Sequence, residues 1–114
     1  MDSCLFCRII GKEIPARVVY EDEALLAFED IRPQAPVHIL LIPKAHFSSL
    51  DGADDARQDV LGRLLLKARD LARERGLDRT GYRVVLNTGP DSGQEVFHIH
   101  FHLLGGRKMS WPPG

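Results

Sequence analysis

The sequence predicts an α+β domain built on an antiparallel sheet. Three observations support this class: one long segment with helical periodicity, several short apolar runs separated by turn residues, and a C-terminal segment in which apolar residues alternate with histidine. The chain has 114 residues, of which 44% are hydrophobic. That size suits one domain over residues 1–114 with a single core of modest size, which dimerisation would help to stabilise.

The N-terminal part of the chain predicts a short helix followed by a hairpin. In CLFCRII the apolar residues stand at helical spacing, and Gly11 followed by EIP ends the helix. These apolar residues are Leu5, Phe6, Ile9 and Ile10. Two apolar or β-branched runs follow at residues 17–20 and 25–30, separated by the acidic turn EDEA. This pair predicts two antiparallel strands.

The remaining elements are a central strand, a long helix and two further strands. VHILLIP is a dense apolar run ended by Pro43. Over residues 54–75 apolar residues repeat every three or four positions, acidic residues cluster in the first turn, and Gly76 follows as a stop. YRVVLN predicts a fourth strand and the histidine segment a fifth, joined by the loop TGPDSGQE. We therefore expect an antiparallel sheet with its helices on one side.

Composition narrows the class of partner. The formal net charge is −1, and acidic and basic residues are mixed along the chain, so there is no basic stripe of the kind that binds nucleic acid. No apolar run reaches membrane-spanning length, and no charged-then-apolar leader begins the sequence. We therefore expect a soluble cytoplasmic protein that binds small molecules and neither nucleic acid nor membranes.

The segment VFHIHFHLL, residues 96–104, places histidine at every second position. This is the period of a β-strand with one buried face, so His98, His100 and His102 are expected to share the opposite face. His98 and His102 would lie roughly 13 Å apart, too far for both to bind one zinc ion with nitrogens about 2 Å from it. The row predicts a site in which each histidine has a different role; the alternative is a polar strand face.

Two cysteines near the N-terminus, Cys4 and Cys7, form the pattern Cys-x-x-Cys. In a reducing compartment such a pair is more often half of a metal site or a redox pair than a structural disulfide. This spacing alone does not distinguish a metal site from a redox pair.

HIHFHLL matches the His-x-His-x-His-x-x signature, with x apolar, of the histidine triad family of nucleotide-binding hydrolases and transferases. Further segments resemble the Hint branch of that family: FCRIIGKEIPARVVYEDE, AFEDIRPQAPVHILLIPKAH, VLNTG, SGQEVFHIHFHLLGGR and WPPG. The resemblance covers nearly the full length. It implies a five-stranded antiparallel sheet with one long and one short helix per subunit, and a homodimer whose sheets join, with the C-terminal tail near the partner's active site.

The resemblance also assigns roles to the histidines. His100 would attack the α-phosphorus of a nucleotide and carry the nucleoside monophosphate until water releases it, and a neutral imidazole is a competent nucleophile at pH 7. A backbone carbonyl around His98 would fix the tautomer of His100, and His102 would bind a phosphate oxygen as charge develops. A partly buried strand histidine is the alternative for His102.

Five more positions resemble the family's phosphate, leaving-group and ribose contacts. Asn87 matches an asparagine that binds phosphate or the leaving-group side, and Gln94 lies in the loop that covers the phosphate. Glu95 stands where animal members have a serine thought to assist leaving-group protonation, so it is a candidate general acid or a contact for an ammonium-bearing leaving group. Asp30, with Ile31, aligns with the residues that hold the ribose.

The base pocket and the metal site are further expectations from the resemblance. Leu5, Phe6, Ile9 and Phe28 resemble the apolar slot that takes a purine. Some bacterial members bind zinc with a cysteine pair, whereas others lack the cysteines, so no cofactor is expected to be required for catalysis. The candidate ligands for a structural zinc are Cys4, Cys7, His46 and His98. The alternative is a pair of buried thiols.

Three functions compete at this point. The first is a purine nucleoside phosphoramidase, which cleaves the P–N bond of a nucleoside 5′-phosphoramidate such as adenosine monophosphate linked to lysine. The second is a dinucleoside polyphosphate hydrolase, and the third is a non-catalytic nucleotide-binding or scaffolding dimer. The C-terminal GGRKMSWPPG favours the first. An apolar base slot accepts adenine or guanine, so AMP-type and GMP-type ligands are both expected.

Overall fold

Five strands form one antiparallel sheet in a computed structural model that describes residues 3–114. The strands are β1 (Val18–Glu21), β2 (Leu25–Glu29), β3 (Val37–Pro43), β4 (Tyr82–Leu86) and β5 (Phe101–Gly105). Their order across the sheet is β1-β2-β3-β5-β4, and every neighbouring pair is antiparallel. The helices are α1 (Leu5–Ile10), α2 (Gln58–Glu74) and α3 (Leu77–Thr80). The predicted α+β class and five-stranded antiparallel sheet are confirmed.

The β1–β2 hairpin is fixed by its acidic turn. One carboxylate oxygen of Asp22 accepts the backbone N–H groups of Ala24 and Leu25 at 2.8 Å each, and the other accepts the hydroxyl of Tyr20 at 2.6 Å. A side chain that satisfies the turn's own backbone donors favours a tight reversal over extended chain. The turn EDEA therefore sets the register of the first two strands.

The helices lie on opposite faces of the sheet, so the expectation that they share one side is wrong. Leu25 and Ala27 of β2 pack with α2, whereas Leu26 and Phe28 pack with α1. The reason is that β2 and β3 are apolar at consecutive positions, which is typical of strands buried on both faces. Helix α2 therefore packs on one face of the sheet and helix α1 on the other.

The long helix covers one face with a regular apolar stripe. Its innermost residues are Leu64, Ala68, Leu71 and Ala72, each at most 1% exposed. The segment predicted as helix over 54–75 begins with a single 3₁₀ turn, in which the Asp54 side chain accepts the N–H of Ala56 at 3.0 Å. It ends at Gly76, whose φ of +73° suits glycine. The short α3 follows and was not predicted.

The fifth strand is shorter than the histidine pattern predicts. Pairing with β3 runs from Gly105 opposite Val37 to Phe101 opposite Leu41, and residues 96–100 lie outside it. The physical reason lies in the partner strand: β3 ends at Pro43, which has no N–H to offer a ladder. Beyond that point the backbone N–H of Ile99 instead donates to the carbonyl of Phe47 at 2.8 Å.

The C-terminal segment is held to the rest of the chain by two arginines. Arg83 of β4 donates to the Ser110 carbonyl at 2.9 Å, and Arg107 donates to the Gln34 carbonyl at 2.9 Å. No helix among residues 3–114 is long and apolar enough to cross a bilayer.

Candidate active site and metal cluster

The five histidines of the chain all lie in two neighbouring clusters. One cluster contains His100 and His102 together with His38 of β3, and the other contains His46 and His98. A hydrogen bond joins the two clusters, since the His98 carbonyl accepts from His100. The sequence pattern that suggested one row of histidines therefore contains residues of two different sites.

His100 is oriented by a backbone carbonyl. Its Nδ1 donates to the carbonyl of His98 at 2.9 Å, so the lone pair of the neutral ring is on Nε2. The ring is 8% exposed and meets the edge of Phe6 at a centroid distance of 5.1 Å and an interplanar angle of 90°. Burial lowers the pKa of His100 below its ordinary value. A neutral imidazole with a fixed tautomer and a lone pair on Nε2 is what a nitrogen nucleophile requires.

The carbonyl that orients His100 belongs to a peptide unit that is itself fixed. The N–H of the same unit, on Ile99, donates to Phe47 as described above. The side chain of His98 is completely buried, and its Nε2 donates to the Pro43 carbonyl at 2.8 Å. Rotation of this peptide unit would therefore break hydrogen bonds on both of its sides.

His102 is set by a chain of hydrogen bonds that begins at Gln34. The backbone N–H of Gln34 donates to Nδ1 of His38 at 3.0 Å, so the ring proton of a neutral His38 is on Nε2. That Nε2 lies 2.9 Å from Nδ1 of His102, to which it donates. The remaining ring proton of His102 is then on its own Nε2. His102 thus presents a hydrogen-bond donor, whereas His100 presents a lone pair.

Burial, followed by repulsion from His100 and His38, lowers the pKa of His102 to about 4. The carboxylate of Asp30 acts in the opposite direction, and its Oδ2 lies 3.5 Å from Nε2 of His38. Burial likewise lowers the pKa of His38. At neutral pH both rings are therefore uncharged, which preserves the donor and acceptor order of the chain.

A cavity of about 400 Å³ collects most of the predicted nucleotide contacts. One end is apolar and is formed by the four predicted base-pocket residues, Leu5, Phe6, Ile9 and Phe28. Asp30 and Ile31 line it farther along, and Asn87, Glu95, His100 and His102 line its polar end. A cavity of this size with both apolar and polar lining has the character of a small-ligand site.

Gln94 is placed differently from the other predicted residues, because it does not line the cavity. Its side-chain amide donates to the carbonyls of Ser48 and Val96, at 2.8 and 3.1 Å, and its Oε1 accepts the N–H of Gly89 at 2.9 Å. Both amide hydrogens are thus engaged, and the side chain has no donor left for a ligand. Gln94 braces the loop between β4 and the histidine segment.

Cys4, Cys7, His46 and His98 converge at the N-terminus of α1, with ligand atoms that all lie within 4.8 Å of one another. Nδ1 of His46 and Nδ1 of His98 are 3.1 Å apart, and Sγ of Cys7 lies 3.4 Å from the first and 3.7 Å from the second. Because Nε2 of His98 donates to Pro43, its lone pair is on the Nδ1 that faces the cluster. Two sulfurs and two imidazole nitrogens are a donor set that suits tetrahedral zinc, so these residues fit the ion.

A second convergent set does not fit a metal ion. Asp30, His38 and His102 also bring their ligand atoms within 4.8 Å of one another. However, Nδ1 of His38 accepts the Gln34 N–H, so the nitrogen that faces the set carries a proton and has no lone pair to offer. We read this set as a hydrogen-bonded chain.

The sequence pattern that defines the HIT domain matches residues 11–109, which is most of the chain. The chain belongs to the HIT domain family. Two relatives and one solved structure illustrate the relationship. The chain is 55% identical over 112 residues to a 14 kDa zinc-binding protein of Brassica juncea, covering 96% of this chain and 98% of the relative. It is 54% identical over 112 residues to the adenylylsulfatase HINT1 of Arabidopsis thaliana, covering 96% and 76%.

The solved structure of a HIT family hydrolase from Legionella pneumophila Philadelphia 1 superposes with a TM-score of 0.96. It is 54% identical to this chain and covers 98% of it, and the chain covers all of that structure. Together with the family match, this similarity supports a hydrolase of the HIT family. The fold of this HIT domain is therefore the one that the sequence resemblance implied.

The match to the HIT domain begins at Gly11, after Cys4, Cys7 and all of α1. All five histidines fall inside the matched range, whereas both cysteines of the metal cluster and three of the base-pocket residues precede it. The candidate zinc site therefore joins two cysteines outside the matched range to two histidines inside it.

His38 is the functional residue that the sequence analysis missed. In this HIT domain it is 7% exposed, and it contacts both His102 and Asp30. The available signal was a single histidine in the apolar run VHILLIP, where a buried imidazole needs hydrogen-bond partners. The pattern of that run predicts a central strand and gives no indication of a site.

Proposed function

We propose that this protein hydrolyses purine nucleoside 5′-phosphoramidates through a covalent nucleotidyl intermediate on His100. The observation that carries the proposal is the bond from Nδ1 of His100 to the His98 carbonyl, which leaves the Nε2 lone pair for attack beside a ligand-sized cavity. Nucleophilic catalysis replaces one difficult displacement by two easier ones.

The cavity supports a binding mode for the nucleotide. A purine would occupy the apolar end, where Phe6 and Phe28 already form an edge-to-face pair with centroids 5.5 Å apart. The ribose hydroxyls would donate to Asp30, whose Oδ1 also accepts the N–H of Arg32 at 2.8 Å. The α-phosphate would then lie at the polar end, next to His100 and His102.

The reaction proceeds in two displacements at phosphorus. Nε2 of His100 forms a bond to the α-phosphorus while the P–N bond breaks, and the leaving nitrogen takes up a proton and departs as an amine. The modified ring is cationic, and its Nδ1–H still donates to the His98 carbonyl. Water then forms a P–O bond as the P–Nε2 bond breaks and gives a proton to solvent, which balances the proton that the leaving nitrogen takes up from solvent in the first step. The nucleoside monophosphate is released and His100 is again neutral. Nε2–H of His102 and the Asn87 amide would donate to the phosphate oxygens in both steps.

The direct test is intact-protein mass spectrometry after brief mixing with adenosine 5′-phosphoramidate and acid quench. We expect a transient adduct with the mass of one adenylyl group, together with release of AMP under steady-state conditions. Turnover without any adduct in the quenched samples, at times shorter than one catalytic cycle, would contradict a covalent intermediate.

Adenylyl sulfate is a second candidate substrate. The Arabidopsis relative is named an adenylylsulfatase, and cleavage of adenylyl sulfate would use the same attack on an α-phosphorus with sulfate as the leaving group. Phosphoramidate and adenylyl sulfate differ in the charge of the leaving group. That difference bears on Glu95, the acidic residue at the polar end of the cavity.

A structural zinc ion and a homodimer complete the proposal. The four ligands identified above would hold zinc, which would join α1 to the sheet and contribute to folding, and no catalytic step uses it. A homodimer is implied by the resemblance and is compatible with β4, which is an edge strand with one unpaired side in the single chain.

Substituting His38 should show that it positions His102. His38→Leu removes the donor to Nδ1 of His102, and we expect kcat to fall about 10- to 100-fold, as for other groups that orient a catalytic side chain. The donated hydrogen bond and the nearby ring favour neutral His102, so their loss raises the pKa of His102. In the parent, the acid limb of the pH–rate profile should lie below the ordinary pKa of histidine, because burial lowers the pKa of both His100 and His102.

The matched variant is His38→Gln, whose amide can still donate a hydrogen bond. We expect it to recover part of the rate and to return the acid limb of the pH–rate profile toward that of the parent. An equal loss of rate in both variants with an unchanged acid limb would show that His38 serves packing alone.

Asp30 provides a test of the binding mode. Asp30→Asn keeps the shape and the acceptor for Arg32 but removes the negative charge that would accept the ribose hydroxyls. Charge-assisted hydrogen bonds are about twice as strong as neutral ones, so we expect AMP to bind about tenfold more weakly. Isothermal titration with 2′,3′-dideoxy-AMP is the control, because this ligand has no hydroxyls to lose and its Kd should change less than about twofold. An equal change in Kd for both ligands would show that the ribose hydroxyls do not contact Asp30.

A further inference from the structure

A second cavity adjoins the nucleotide cavity. It also has a volume of about 400 Å³, and it shares Leu5, Glu95 and Val96 with the first cavity. The residues that line only the second cavity are Ser3, Phe97 and two of the candidate zinc ligands, Cys4 and His46. Glu95 therefore faces both the cavity that contains His100 and the second cavity.

Glu95 stands at the boundary of the two cavities without a partner of its own. Its side chain is exposed, and it makes no hydrogen bond or ion pair with any other residue in the range 3–114. The α-phosphate of a nucleotide is anionic, and a carboxylate beside it is electrostatically unfavourable. A second negative charge on the leaving group would add to that repulsion, whereas a positive charge would relieve it.

Phe97 and Leu5 give the second cavity apolar walls. Phe97 is 57% exposed and Leu5 is 43% exposed, so both offer surface that a ligand can cover. An exposed aromatic ring attracts a cation over its face and packs against an alkyl stem. One carboxylate and two apolar walls therefore match an alkyl chain that ends in an ammonium group.

We propose that the second cavity is the leaving-group subsite and that Glu95 selects leaving groups that carry a positive charge remote from the scissile nitrogen. This inference rests on the proposed hydrolysis of nucleoside phosphoramidates and specifies its substrate class. In the reaction the P–N bond breaks and the leaving nitrogen takes up a proton, as described above. Glu95 contacts the distant ammonium group and exchanges no proton with the reacting nitrogen.

The test uses three adenosine 5′-phosphoramidates that share one P–N bond and one stem length. Their leaving amines are 1,6-diaminohexane, hexylamine and 6-aminohexanoate, so that the far end is positive, neutral or negative. We expect kcat/KM in the parent to fall in that order, with about two- to fivefold between the positive and neutral ends, which is typical of an exposed charge pair.

Two variants and a control separate the charge of Glu95 from other effects. Glu95→Gln should bring the positive-to-neutral ratio of kcat/KM close to one, and Glu95→Lys should invert the order of the three substrates. Asp91→Asn is the matched control, because Asp91 is an exposed carboxylate in the same loop and lines neither cavity. This control should keep the parent's ratio.

Each alternative result has a distinct meaning. If Glu95→Gln slows the positive and neutral substrates equally, Glu95 acts at the reacting nitrogen as a general acid and the selector role is overturned. An unchanged ratio in Glu95→Gln overturns it as well. Phe97→Ala should lower kcat/KM for all three substrates relative to unsubstituted phosphoramidate, whose ammonia leaving group is too small to reach Phe97. An equal decrease for all four substrates would show that the alkyl stem does not bind in this cavity.

Binding measurements keep the subsite separate from the catalytic proposal. In a His100→Ala background the three conjugates are not turned over, and their Kd values should show the same charge order and the same response to Glu95→Gln. If the parent hydrolyses none of them but this order is present, the proposed function fails and the subsite stands. If the parent hydrolyses all three and the Kd values show no charge order, the subsite fails and the proposed function stands.

Discussion

His100→Ala is expected to reduce kcat for adenosine 5′-phosphoramidate on the order of 10⁴-fold, because the first displacement has no nucleophile without Nε2. The Kd for AMP should change less than about threefold, since the apolar end of the cavity and Asp30 are intact. Stopped-flow or coupled assays of AMP release measure the first quantity, and titration calorimetry measures the second.

The controls for this variant are its fold and the absence of the adduct. Its unfolding temperature should stay near that of the parent, and acid-quenched samples should contain no adenylylated protein. Substantial residual turnover, within about tenfold of the parent, would mean that water attacks phosphorus directly and that the fixed tautomer of His100 serves another purpose.

Removing one ligand of the metal cluster is expected to produce the largest change in stability. The parent should contain about one zinc per chain, a four-ligand structural site. Cys7→Ser should contain much less zinc than the parent, and its unfolding temperature should be lower than that of the parent by more than about 10 °C. The estimate follows from roughly 4 kcal/mol of stabilisation when free zinc exceeds Kd a thousandfold, at about 4 °C per kcal/mol for a chain of this size.

A chelator provides the control for the metal prediction. Treating the parent with an excess of chelator should lower its unfolding temperature to that of Cys7→Ser, and the same treatment should leave the variant unchanged. Metal analysis that finds no zinc in the parent after growth with zinc would reject the site. Equal sensitivity of both proteins to the chelator would mean that the stabilising metal is bound elsewhere.

The sequence indicated the local part of the candidate active site but not its distant part. His98, His100 and His102 are close together in the chain, so a short pattern reveals them. His38 lies 64 positions before its partner His102, and only the pairing of β3 with β5, with Leu40 opposite His102, brings the two rings together. Long-range register is not encoded in any short window, so this contact required the structure.

The errors about the sheet have the same origin. Alternation in the histidine segment predicted a full strand, but strand length also depends on what the neighbour can pair with, and β3 ends at Pro43. The side on which the helices pack depends on which strands are apolar on both faces. For β2 that information is present in LLAF, where four consecutive residues are buried. A β2 that is buried on both faces requires a helix on each face, and the short apolar helix α1 covers the face that α2 leaves open.

The peptide unit between His98 and Ile99 has a consequence for the energetics of turnover. Its N–H is bonded to Phe47 and its carbonyl to His100, and the adjoining side chain is bonded to Pro43. The orientation of His100, the proposed nucleophile, is thus established once, when the chain folds, and conformational entropy is not lost again in each catalytic cycle. The activation entropy should accordingly be small, and transplanting the three histidines onto another sheet would fail without the loop that contains Phe47.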